Sequence, residues 1–237
     1  MPDSDVRYGR SFAPPVALER STTALLIIDM QYSCAALDQG SNLAFDRLEP
    51  GSCEYFMKRV ETSVIPAIQA LLRHFRHEEM PIVYLTLGSH DRDLTDIPER
   101  QREAIRMLER EAGVADILWA GNPAFQIREE IAPRAGELVV NKTTFGAFNS
   151  SPLDRILRER GIRSLVITGV STNCCVESTA RDAADRGFGC VLVDDALADY
   201  DEYAHNATLR AFHTSFGRVV RSASDVFAVI GGPTPVI

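Results

Sequence analysis

Five short apolar runs, each followed by a stretch of helical periodicity, limit the folds open to this chain of 237 residues. They fall at residues 23–29 (TALLIID), 82–87 (IVYLTL), 137–141 (ELVVN), 164–168 (SLVIT) and 189–193 (GCVLV), with a shorter piece near 218–221. Their apolar positions run on rather than alternate, the pattern of strands covered on both faces. Between them, residues 60–77, 98–111, 152–160, 174–186 and 202–216 carry amphipathic helical spacing. Strand and helix in regular succession predict an α/β fold. The expected architecture is a three-layer α/β/α sandwich around a six-stranded parallel sheet with right-handed crossovers, Rossmann-like in plan. Residues 1–22 read as an N-terminal arm and 23–237 as a single domain, with 33–53 and 89–97 as long loops over the strand ends.

Composition narrows the partners. A net charge of −8 argues against nucleic acid and against an anionic membrane surface, both of which need positive protein surface. No apolar run approaches the roughly 20 residues that cross a bilayer. Residues 1–10 are polar, without the apolar stretch of a secretory signal. Five cysteines at irregular spacing do not make a disulfide framework, so the sequence predicts a reducing, cytoplasmic setting.

In open parallel sheets the reactive crevice lies beyond the C-terminal strand ends. Three polar residues fall there. Asp29 closes the first run, Lys142 follows the third, and Cys175 comes just after the fourth, past the turn Gly169-Val170-Ser171-Thr172-Asn173. A helix N-terminus at Cys175 would favour a thiolate by about 0.3–1 kcal/mol. That is less than one pKa unit, at 1.36 kcal/mol per unit. The thiol therefore needs a cation or a base as well: Lys142 can supply charge, and Asp29 can take the proton. Each residue also has a plainer reading: packing for Cys175 and Cys174, loop capping for Asp29, solvation for Lys142. Glu177 and Arg181 read as a surface pair on a helix, and 99–111 as a solvated face. Other constellations fail. The turn lacks the last glycine of a nucleophile elbow, no phosphate-binding glycine motif follows a strand, and His74 and His77 lack a third ligand at convincing spacing.

The contexts LLIIDMQ, VVNKTTFGAF and TGVSTNCCVESTARDA together resemble the isochorismatase-like cysteine hydrolase superfamily, over roughly residues 22–222. FNSSPLD and RERGIRSL are similar to its ureidoacrylate amidohydrolase branch. The resemblance implies a catalytic set of Asp29, Lys142 and Cys175. Cys175 would form a thioester with a small linear amide or ureido (carbamoyl) substrate, releasing ammonia. It also implies a cis peptide at Val170–Ser171, an oxyanion hole from the Ser171 and Cys175 N–H groups, and a homo-oligomer, dimer or tetramer. Nicotinamidases of the family bind a metal through an Asp-x-His…His pattern. Here the corresponding stretch TLGSHDRDLTD has only His90, which argues against both a metal and a nicotinamide substrate; no cofactor is expected. The substrate pocket is expected to be lined by Gln31 and Tyr32, the loop at 87–90, and Thr144, Phe145, Phe148 and Asn149. Two rivals are vinyl-ether hydrolysis of the isochorismate type and a non-catalytic interaction module; the intact Asp–Lys–Cys set argues against both.

Overall fold

The computed structural model describes residues 7–230 and residue 237. Six strands form one sheet: β1 (Thr23–Ile28), β2 (Ile82–Leu87), β3 (Leu138–Lys142), β4 (Ser164–Val170), β5 (Gly189–Ala198) and β6 (Arg218–Val220). Their order is β3-β2-β1-β4-β5-β6, and every pairing is parallel. The winding direction reverses between β1 and β4.

The reason for the unbroken apolar runs is visible in β1. Leu26 and Ile28 pack into one core with Leu165, Ile167 and Leu192, while Leu25 and Ile27 pack into the other with Val166, Val191 and Val193. All six residues of β1, and all seven of β4, are buried. Side chains of a strand alternate faces, so burial on both sides requires an apolar residue at nearly every position.

The helices, in chain order, are α1 (Tyr32–Ala35), α2 (Gly40–Leu48), α3 (Glu54–Arg59), α4 (Ile65–His77), α5 (Glu99–Ala112), α6 (Leu153–Glu159), α7 (Glu177–Asp185), α8 (Glu202–Ser215) and α9 (Ala223–Val229). On α4, Ile68, Leu71, Leu72 and Phe75 make the inward stripe that covers one face of the sheet. Leu153 and Leu157 of α6, Ala180 and Ala183 of α7, and Leu209 and Phe212 of α8 cover the other.

Two expectations need correction. The segment 33–53 is not a long loop, since it holds α1 and α2. Asn42 ties them together, its side-chain amide donating to the Cys34 and Ala36 carbonyls. The fifth strand does not stop at Val193 but runs to Ala198 through Asp194 and Asp195. Residues 7–22 lie against their own chain. Tyr8 is buried and donates to Asp194, and Val16 exchanges backbone hydrogen bonds with Ile237. Of the expected arm, residues 1–6 lie outside the described residues.

The sheet has one irregularity that bears on the site. The β4–β5 register shifts between Ile167 and Gly169, and Gly169 has a φ of 112°. A Cβ there would collide with the Ile28 carbonyl in the adjacent β1. Gly169→Ala therefore combines an unfavourable backbone conformation with a clash against rigid main chain. It is expected to lower stability by about 3 kcal/mol or more in chemical denaturation.

Candidate active site

At the point where the sheet changes direction, the chain after β1 and the chain after β4 part and leave a crevice. Asp29 sits on the β1 side. Its φ of 52° lies in the left-handed region, where a non-glycine residue is uncommon. It is 1% exposed. Lys142, the last residue of β3, is 0% exposed. Because β2 lies between β3 and β1, its side chain crosses the end of β2 to place Nζ 2.8 Å from Asp29 Oδ2. A second donor–acceptor contact, 3.2 Å to the Thr144 carbonyl, fixes the ammonium. Asp29 Oδ1 is buried and unclaimed.

Cys175 arrives from the β4 side. It does not occupy the first turn of an α-helix. It lies in a wide π-type turn, Thr172–Val176, that runs directly into α7. Such turns interrupt the ordinary helical ladder and recur at functional sites. The Val170–Ser171 peptide bond is cis. Asp29, Val170, Ser171, Cys174 and Cys175 open onto one cavity of about 260 Å³.

The electrostatics follow from burial. Asp29 is pushed above the usual carboxylate range by desolvation, which the Lys142 charge and hydrogen bonds from Cys175 and Lys142 only partly offset. Burial alone would push the Lys142 ammonium down, but Asp29 and the Cys175 sulfur outweigh it and raise its pKa. A hydrogen bond shared with the Cys174 thiol, burial and the Asp29 charge together push the Cys175 thiol well above its ordinary range. Burial and the neighbouring Asp29 charge thus oppose the thiolate that a helix N-terminus would favour.

A buried polar chain braces the turn from behind. Thr172 Oγ1 is 2.8 Å from His205 Nδ1, and His205 Nε2 is 2.9 Å from Asp194 Oδ1. Asp194 also accepts from Arg59 at 2.7 Å and from Tyr8 at 2.6 Å. On the other side, Asp199 accepts from the Asn173 backbone N–H at 2.6 Å. None of these anchors stood out in the sequence. The one signal was two acidic residues inside a strand, Asp194 and Asp195, which a buried strand tolerates only when they are paired.

The isochorismatase domain family matches residues 23–224. The chain belongs to the isochorismatase family. The ureidoacrylate amidohydrolase RutB of Stutzerimonas stutzeri is 33% identical over 221 residues, covering 90% of this chain and 84% of that protein. The RutB of Methylorubrum extorquens is 31% identical, covering 95% of this chain and 90% of its own length. Among solved structures, an isochorismatase family protein from Desulfovibrio vulgaris has a TM-score of 0.66 at 27% identity, covering 88% of this chain and 99% of that one. A cysteine hydrolase from Pseudomonas syringae shares the fold with a TM-score of 0.74 at 23% identity, covering 92% and 97% of the two chains.

The pocket residues expected from sequence fare unevenly. Phe145 lines the cavity. Gln31 does not: it is 0% exposed, and its amide joins the backbone of Leu87 and Phe125, stapling the loop after β1 to the end of β2. Tyr32 turns away to a separate surface groove, where its hydroxyl accepts from the Glu129 N–H. Thr144 is held by Gly146 and Ser150 and contributes its carbonyl to Lys142. Phe148 is buried in the core near Phe188, and Asn149 is exposed outside the cavity. Of the loop at 87–90, only Leu87 reaches the cavity. The remaining walls come from places the sequence did not mark: Cys34 of α1, Ser41 and Phe45 of α2, Phe56 of α3, Gln101 and Ile105 of α5, Leu118, and Tyr200 after β5.

Two measurements test this description. Alkylation of Cys175 by iodoacetamide, followed by peptide mapping, is expected to rise with pH through a midpoint above the ordinary thiol value of about 8.5. Asp29→Asn should lower that midpoint. Separately, burial alone would raise Asp194, but hydrogen bonds with His205 and Tyr8 and the Arg59 charge hold it down at about 2, against an ordinary 3.8. A depressed carboxylate contributes stability that is fully present above its unfolded value and fades as pH falls through the folded one. Wild-type stability is thus expected to fall between about pH 4 and pH 2. Asp194→Asn should lack that component and lose about 2 kcal/mol at neutral pH.

Proposed function

We propose that this protein is a cysteine-nucleophile amidohydrolase that cleaves a non-peptide C–N bond of a small amide or ureido compound and releases ammonia. The observation that carries the reading is the buried Asp29–Lys142 pair opening onto the same cavity as the Cys175 thiol. Its kinship with ureidoacrylate amidohydrolases over nine-tenths of the chain supports the reaction class.

In this reading the thiol is deprotonated only as it reacts. The free Asp29 oxygen takes the proton while the sulfur attacks the amide carbon. Lys142 keeps Asp29 ionised in a site that would otherwise protonate it, and so keeps a base available. The oxyanion would accept hydrogen bonds from the Ser171 and Cys175 N–H groups at the start of the turn, where helix-terminal donors favour negative charge. Asp29 then returns the proton to the departing nitrogen. The thioester is hydrolysed by a water that Asp29 activates in turn. Free thiols at Cys34, Cys53, Cys174, Cys175 and Cys190 suit a reducing cytoplasm. A homo-oligomer remains part of the proposal. Phe12 and Tyr203, 75% and 83% exposed, are large side chains that such contacts could cover.

Ammonia release from a panel of amides and ureido compounds tests the proposal. Cys175→Ala and Cys175→Ser should abolish it, and Asp29→Asn should lower kcat by about 10²–10⁴-fold. Mass spectrometry of the wild-type protein quenched in acid during turnover should show an acyl adduct on Cys175, absent from Cys175→Ala. A well-folded protein that turns over no member of the panel would overturn it.

A further inference from the structure

The walls of the reactive cavity differ in kind from its floor. Phe45, Phe56, Ile105, Leu118, Phe145 and Tyr200 make a largely apolar, aromatic-rich enclosure. Phe56 and Tyr200 stack with centroids 4.3 Å apart and planes 11° from parallel, and Phe45 meets Tyr200 edge-on at 5.6 Å. The Tyr200 hydroxyl is already committed, donating to Asn42 Oδ1. Among the described residues, no arginine, lysine or histidine lines this space. Lys142 stands behind it, wholly buried and held by Asp29 and the Thr144 carbonyl. The one ionisable carboxylate on the lining is Asp29 itself.

A substrate that carried its own carboxylate would bury that charge against aromatic rings, with no cation to meet it and Asp29 nearby. An unpaired buried charge is strongly disfavoured, and a like charge adds to the penalty. An uncharged body meets no such barrier, and flat apolar groups suit the stacked walls. The polar side chains on the lining other than Asp29 are neutral: Ser41, Ser171, Gln101 and the thiols of Cys34, Cys174 and Cys175, with the Tyr200 hydroxyl already taken. Gln101 Nε2 is buried, has no partner, and belongs to a residue that lines the cavity. A buried amide N–H left unpaired calls for an acceptor. At about 260 Å³ the space is below the usual range of about 300–1,000 Å³ for drug-sized ligands, so the substrate is small.

The geometry points to a substrate class narrower than the proposed reaction: a small amide or carbamoyl compound with an uncharged, apolar or aromatic body and an oxygen acceptor that meets Gln101. Ureido acids, which the named relatives suggest, are disfavoured. This inference rests on the amidohydrolase reading for its reaction, and on the cavity walls alone for its charge selection.

Two experiments separate the two layers. In the first, kcat/KM is compared for neutral amides (butyramide, benzamide, butylurea) and carboxylate-bearing counterparts of similar length (succinamate, 3-ureidopropionate, ureidoacrylate). Neutral members are expected to lead by tenfold or more, and Ile105→Arg, at the partly exposed edge of the cavity, should shrink or invert the gap. For the neutral substrates, Gln101→Leu should raise KM by several-fold and change kcat less. Carboxylate members leading in the wild type would overturn the inference while leaving amidohydrolase activity intact. The second experiment needs no turnover. Cys175 is alkylated with iodoacetamide and with iodoacetate, and the rate ratio is normalised to that of glutathione. A ratio favouring the neutral reagent by tenfold or more supports the inference; a ratio at or below that of glutathione overturns it.

Discussion

A single buried ion pair organises this site. Asp29 and Lys142 are each almost wholly removed from water, and neither charge would persist there alone. Each charge offsets part of the cost of burying the other, and the Asp29 charge pushes up the pKa of the Cys175 thiol beside it. The geometry of the pair depends in turn on strand order. Lys142 ends an outer strand and Asp29 follows a central one, so only a side chain as long as lysine spans the end of the strand between them.

The sheet was legible because its strands are buried on both faces, which leaves their sequences little freedom. Where that constraint relaxed, reading failed. The segment 33–53 shows weak periodicity and no side-chain cap at the start of either helix, so it looked like a loop. Its helices are held by the Asn42 side chain, a tertiary contact that no local pattern announces. The fifth strand looked five residues too short because Asp194 and Asp195 interrupt its apolar run. Asp194 is tolerated there because Tyr8, Arg59 and His205 converge on it from three distant parts of the chain.

The candidate site divides along the same line. Asp29, Lys142 and Cys175 could be picked out because each is polar at the end of an apolar run, and the fold carries such ends to one place. The pocket walls could not. Gln31, Thr144 and Phe148 lie close in sequence to the reactive residues, yet they serve the scaffold: a staple between loops, a carbonyl for the lysine, a core contact. Phe45 hid in a segment mistaken for a loop, and Gln101 and Ile105 in a helix whose many charges suggested a fully solvated face. Proximity along the chain misled; what mattered was which helices lean over the crevice.

That division has a bearing on how such an enzyme can diversify. The floor is cut from strand termini whose positions the whole sheet enforces, whereas the roof is borrowed from peripheral helices that contribute one or two side chains apiece. Exchanging a roof residue alters what fits beneath it and leaves the reacting atoms where they were. A lineage could therefore change its diet repeatedly while the bond-breaking apparatus stayed fixed, and a descendant's menu would be written in the helices least conspicuous to a reader hunting for motifs.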